Sequence, residues 1–157
     1  MSEINIIEGA KKLDNARIAV IASRYNVDIV DRLIKGCNDT LINAGLNPAG
    51  IDLLRVPGAF ELPMVAGHLA RQKKYDALIA LGAVIRGETP HFDYICTECA
   101  SGLARIAIDY DLPVIFGVLT VDTYQQAEDR SGDEESNKGS EAALTAVEMI
   151  NLLKQAG

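Results

Sequence analysis

Residues able to do chemistry gather in short polar stretches that each follow an apolar run: SRYN (23–26), PGAFE (57–61), RGETPH (86–91) and TVDTYQQAEDR (120–130). The imidazole of His91 belongs to the side-chain type that exchanges protons near neutral pH. The rings of Tyr25 and Phe60 can stack on a flat ligand. The carboxylates of Glu61 and Glu88 accept hydrogen bonds, and the permanently charged fork of Arg130 suits an anion. The collection fits a planar polar molecule together with an anion. It does not fit a dinucleotide or a nucleoside triphosphate, because no GxGxxG follows the first apolar run and no GxxxxGK[ST] occurs.

Each of these residues also has a plain structural use. His91 lies within GAVIRGETPHFDYI (82–95), where an apolar run breaks at Gly87, and it could simply open a helix. Arg130, beside Glu128 and Asp129, could be half of a surface ion pair, and Lys138 a solvated residue where the last helix starts. His68, among Ala, Gly and Leu, reads as a packing or surface residue. Cys96 and Cys99 form a CxxC five residues after His91. A zinc site of the deaminase type needs H-x-E, whereas Asp93 stands at that position, and it needs ligands from separated helix starts. A redox CxxC opens its helix, but ICTEC falls inside one. Neither metal nor redox use is expected.

The elements that must carry these stretches follow from periodicity. Segments 16–23, 51–57, 77–85 and 114–120 are continuous β-rich runs, as expected of strands buried on both faces. Segments 28–44, 60–73, 92–109 and 139–154 space their apolar residues for helices, with Gly45 as a C-cap and Pro63 tolerated in a first turn. Strand and helix alternate four times, which predicts an α/β, three-layer sandwich with a four-stranded parallel sheet. Ligands of such sheets bind beyond the carboxyl ends of the strands, where the four polar stretches converge. Segment 128–140 reads as a loop and helix start. INII (4–7) has strand character but precedes the first strand–helix unit, so it is an edge strand at home or an addition to a neighbour's sheet.

Bulk properties limit the function classes. A chain of 157 residues suits one domain, 1–157, with 1–12 as an N-terminal extension. The net charge of -7 argues against nucleic-acid and anionic-membrane partners. No run approaches the roughly 20 apolar residues of a membrane span, and INIIEGAKKL lacks the apolar core of a secretory signal. Three cysteines without such a signal read as reduced thiols, so a cytoplasmic location is expected.

Taken in order, SRYN, VPGAFELP, GAVIRGETPHFDYI, FGVLT and Q-A-x-x-R followed by NKG resemble the lumazine synthase family over essentially the whole length. The resemblance implies a flavodoxin-like fold. It also implies condensation of 5-amino-6-(D-ribitylamino)uracil with 3,4-dihydroxy-2-butanone 4-phosphate to 6,7-dimethyl-8-ribityllumazine, phosphate and water, with no cofactor or metal. By the same resemblance Tyr25 stacks on the pyrimidine, Ala59, Phe60 and Glu61 hold the ribityl chain, and Ala83, Val84 and Ile85 meet the pyrimidine. Amides of Glu88 and Thr89, with Arg130, bind phosphate near Lys138. His91 shuttles protons, and Phe116 comes from the neighbouring subunit's side of the site. Tyr25, Glu88 and Asp129 depart from the commonest family pattern.

The implied partners are small-molecule substrates and further copies of the chain, as a pentamer, decamer or sixty-subunit shell, with INII joining a neighbour's sheet. Association with riboflavin synthase is a further partner of that family. The alternatives are an archaeal-type riboflavin synthase, which dismutates two lumazines, and a non-catalytic lumazine- or flavin-binding shell protein.

Overall fold

The continuous apolar runs become strands because both of their faces find a helical layer to pack against. The computed structural model describes residues 3–133 and 135–157. Strands β1 (Ile18–Ser23), β2 (Ile51–Val56), β3 (Ala77–Ile85) and β4 (Val114–Val121) form one parallel sheet in the order β2-β1-β3-β4. Every residue of β1 is buried, as are the first seven of β3. β2 and β4 are the edges, and their burial is patchier.

Helices α1 (Val27–Asn43) and α5 (Lys138–Ala156) cover one face of the sheet, with Leu33, Leu41, Ile79, Leu81 and Val147 in that core. Helices α2 (Leu62–Gln72) and α3 (His91–Tyr110) cover the other, around Ile21, Leu62, Leu78 and Leu103. Burying such side chains stabilises the fold by about 1.5–3 kcal/mol each. The observed bounds differ from the expected ones mainly at the ends. Segment 60–73 divides into a 3-10 turn, Ala59–Glu61, and α2, with Pro63 in the first turn of the helix. Gly45 takes φ 117°, the left-handed geometry that ends helices, and Leu46 then donates to the Leu41 carbonyl.

Part of segment 128–140 departs from the loop reading. A short helix, α4 (Tyr124–Asp129), follows β4, set by a capping box in which Thr123 accepts from the Gln126 amide and the Gln126 side chain accepts from the amides of Asp122 and Thr123. The N-terminal segment forms no strand among the described residues. Ile4, Ile6 and Ile7 are exposed, while Asn151 donates to the carbonyls of Ala10 and Lys12 and holds that stretch on α5.

Helices α1 and α5 cross closely because glycines stand at the crossing. A β-carbon on Gly139 would lie 2.0 Å from the Leu33 carbonyl oxygen, which is backbone and cannot swing aside. Gly139→Ala is expected to destabilise the protein by about 1–3 kcal/mol, lowering Tm by roughly 3–10 °C. An unchanged thermal transition would show that the crossing relaxes freely.

Candidate functional site

The turn after β1 rests on the strands at both sides. The Arg24 amide donates to the Val56 carbonyl at 2.8 Å and the Tyr25 amide to Pro57 at 3.3 Å, while Asn26 Nδ2 donates to the Ala83 carbonyl at 2.9 Å. Asn26 has φ 57°, a left-handed geometry that asparagine tolerates better than most residues. The chain thus turns sharply and projects Tyr25, whose residue is 74% exposed. Its hydroxyl makes no hydrogen bond among the described residues. A β-carbon on Gly58 would lie 3.5 Å from the Tyr25 ring and 3.9 Å from Glu61 Oε1, so ring and carboxylate flank that glycine. Ala59 is buried and anchors the 3-10 turn, leaving Phe60 57% exposed beside it. Two aromatic rings and a carboxylate therefore stand at adjacent strand ends.

At the end of β3, Ala83 is buried and Val84 and Ile85 are partly so. Glu88 and Thr89 then form an exposed turn, and His91 is the first residue of α3. Inside the turn the His91 amide approaches Thr89 Oγ1 at 3.4 Å, a weak contact. The amides of Glu88 and Thr89 find no protein acceptor among the described residues, which leaves them free to donate to a ligand. The Glu88 carboxylate is exposed and forms no ion pair among those residues.

Phe116, Arg130 and Lys138 lie elsewhere. They line an open groove of about 480 Å³ that runs along the free edge of β4, with Glu141 and Thr145 of α5. In the strand register Phe116 stands opposite Ala80, whereas Val121 stands opposite Ile85. Five residues of strand put Phe116 about 17 Å back from the strand end that bears the His91 turn. Arg130 and Lys138 are held together, since the Lys138 amide donates to the Arg130 carbonyl at 2.8 Å. The buried Asn137 side chain fastens that pair. It accepts from the amides of Gly139 and Ser140 and donates to the carbonyls of Arg32, Ser131 and Gly132. Asparagine just before a helix is a readable capping signal, but its grip on α1 is not.

The surface-pair reading of Arg130 does not hold among the described residues. Its guanidinium donates to the Gln126 carbonyl at 3.0 Å, while Asp129 accepts from Gln125 and Glu128 faces Arg32 at 3.8 Å. Lys138, by contrast, pairs with Glu141 at 2.7 Å. His68 is an exposed residue of α2. Cys96 and Cys99 lie within α3. Burial pushes the Cys99 thiol up to about 11, burial also raises Cys96, and buried Cys37 is pushed up to about 12. A raised thiol yields less thiolate, the form that acts as a nucleophile.

One chain therefore presents two separate sets. The strand-end set holds Tyr25, Ala59, Phe60, Glu61, the 83–85 segment, Glu88, Thr89 and His91; the edge set holds Phe116, Arg130 and Lys138. No hydrogen bond or ion pair joins them among the described residues. Phe116 is itself 46% exposed, so three aromatic rings remain uncovered, and exposed apolar groups at a polar rim mark a surface that something else completes. Residues 15–154, a span that takes in both sets, match the model of a family described as 6,7-dimethyl-8-ribityllumazine synthase.

Proposed function

The chain belongs to the 6,7-dimethyl-8-ribityllumazine synthase family, enzymes of riboflavin biosynthesis, and from that premise we propose that it condenses 5-amino-6-(D-ribitylamino)uracil with 3,4-dihydroxy-2-butanone 4-phosphate. The products are 6,7-dimethyl-8-ribityllumazine, phosphate and water. The division of the site residues between a strand end and a sheet edge is the observation that carries this reading: each set offers an aromatic ring for a heterocycle and donors for a phosphate, and each is incomplete alone.

At the strand ends, Tyr25 stacks on the pyrimidine, the 83–85 segment borders it, and Phe60 with the Glu61 carboxylate and the Ala59 turn holds the ribityl chain. The amides of Glu88 and Thr89 take the phosphate from one side. Arg130 takes it from the other, with Lys138 nearby and Phe116 against the heterocycle, all three supplied by the neighbouring protomer. An amine of the pyrimidine attacks the ketone, water leaves as the imine forms, phosphate is eliminated, and the second nitrogen closes the ring with loss of another water. Every step moves a proton, which His91 can carry. No step gains or loses electrons overall, so the reaction itself calls for no redox cofactor.

A site shared between protomers requires an oligomer, and we assign a homopentamer of the cytoplasm as its smallest form, open to assembly into decamers or a shell. Contacts between strand ends of one copy and the β4 edge of the next are heterologous, the kind that builds a ring where the rotation between copies closes. The exposed Ile4, Ile6 and Ile7 then add to a neighbour's sheet. A groove of about 480 Å³ along β2, lined by Ile34, Ile51 and the exposed Leu53, offers one free edge of suitable chemistry. The domain is the whole of 1–157, with 1–12 as the exchanged extension. Among the described residues no helix is long and apolar enough to cross a membrane.

The test is incubation of the purified protein with both substrates, following lumazine absorbance and phosphate release together. Equal amounts of lumazine and phosphate are expected. Turnover of lumazine alone, the dismutation of a riboflavin synthase, or tight lumazine binding without turnover would contradict the assignment.

A further inference from the structure

Arg86, the first residue beyond β3, is held at more points than any neighbour in the turn that follows it. Its amide donates to the Val121 carbonyl at 2.9 Å. Its guanidinium then reaches in two directions, with Nε to Asp122 Oδ1 at 2.9 Å and Nη1 to Asp93 Oδ1 at 3.3 Å. The flat face of the same group lies 4.3 Å from the ring centroid of Phe92, which is buried and so offers a fixed platform. The chain leaves Arg86, forms the turn with Glu88, Thr89 and His91, and comes back to Arg86 at Phe92 and Asp93. Little else restrains that turn. Residues 87–91 are exposed, and nothing lies within 4 Å of a β-carbon placed on Gly87.

The second arm matters equally. Asp122 directly precedes the capping box that starts α4, and its own amide donates to Gln126 Oε1 at 2.8 Å. Helix α4 ends at Asp129, and Arg130 follows. One guanidinium thus ties the start of the helix that bears His91 to the start of the helix that leads to Arg130.

We propose that Arg86 is a positioning residue for the condensation assigned above, fixing the His91 turn and the β4–α4 junction without touching either substrate. The inference rests on that assignment. Arg86 is a poor candidate for the anion site itself, because two carboxylates match its charge and Phe92 occupies its flat face. Lysine could not replace it, since an ammonium lacks the planar fork and the stacking surface. The pairs are exposed, with the Arg86 side chain 46% accessible. Exposed pairs contribute little to global stability, so loss of the clasp shows in geometry first.

The experiment uses the full-length protein carrying Arg86→Gln. The value of kcat is expected to fall about tenfold or more, as misplacement of catalytic groups does. The KM for the pyrimidine should stay within about threefold and Tm should barely move, a split that a merely structural role would not give. Exchange should quicken at the hydrogen-bonded amides of Arg86, Asp93 and Tyr94 in one segment and of Asp122, Thr123 and Gln126 in the other, while β1 keeps its protection. Arg86→Lys should recover only part of kcat. Asp93→Asn and Asp122→Asn, which leave the guanidinium in place, should each reproduce the faster exchange of one arm alone, so the test survives if Arg86→Gln fails to fold. A kcat within about twofold of wild type, or exchange unchanged in both segments, overturns the proposal. Exchange needs no substrate: an inactive wild-type protein would sink the reaction assignment, while the exchange results would still decide the clasp.

Discussion

Arg130→Ala raises the KM for the phosphorylated ketone about thirtyfold and leaves the KM for the pyrimidine within about threefold. Hydrogen bonds to charged groups contribute roughly 1.5–3 kcal/mol, and each 1.4 kcal/mol is a factor of ten in an equilibrium constant. Arg130 has little structural work that would blur the result. Its guanidinium makes one hydrogen bond, to the Gln126 carbonyl, and no carboxylate among the described residues neutralises it. Lys138 cannot readily take over, because its ammonium pairs with Glu141. Arg130→Lys restores only part of the affinity, since a point charge replaces a fork. Steady-state kinetics with each substrate varied in turn makes the check. Equal rises in both KM values, or none, would show the phosphate role misplaced.

His91→Ala lowers kcat about a hundredfold, near the low end of what a positioned acid or base contributes. Turnover persists because Tyr25, Phe60, Glu61 and Arg130 still hold the two reactants together, and that proximity alone can supply about 7–11 kcal/mol. His91 opens α3 on an exposed turn, so its truncation leaves no cavity in the core and Tm should be nearly unchanged. Single-turnover measurements separate the chemical step from product release. An unaffected chemical step would remove the proton-carrying role.

The sheet was legible because strands buried on both faces are continuous apolar runs, and segment 77–85 coincides with β3 residue for residue. Helix ends were legible where capping chemistry is local, as at Gly45. Helix α4 was not, for two reasons: its six residues carry too few apolar positions for a 3.6-residue period, and its capping box is a polar signal embedded in a polar run. Candidate site residues could be collected because chemistry follows strand ends in parallel sheets. Their separation into two sets could not, since it depends on register: only the pairing of Phe116 with Ala80 places that ring midway along the edge strand and away from its end. Arg86 was passed over for a related reason. Its partners, Asp93 and Asp122, lie 7 and 36 residues away, and only the fold brings all three to one point. INII shows the converse limit, a strand-like pattern that forms no strand among the described residues.

The shared site can be tested by mixing defects. One variant carries Tyr25→Ala with His91→Ala, which damages the strand-end set; the other carries Arg130→Ala with Lys138→Ala, which damages the edge set. Each alone should be nearly inactive. Co-expressed in equal amounts and assembled at random, they should recover activity approaching about a quarter of wild type, because a heterologous ring places an intact strand end against an intact edge at one contact in four. Activity no greater than that of the two variants assayed separately would contradict a site built between protomers, since a site within one chain would always carry one of the two defects.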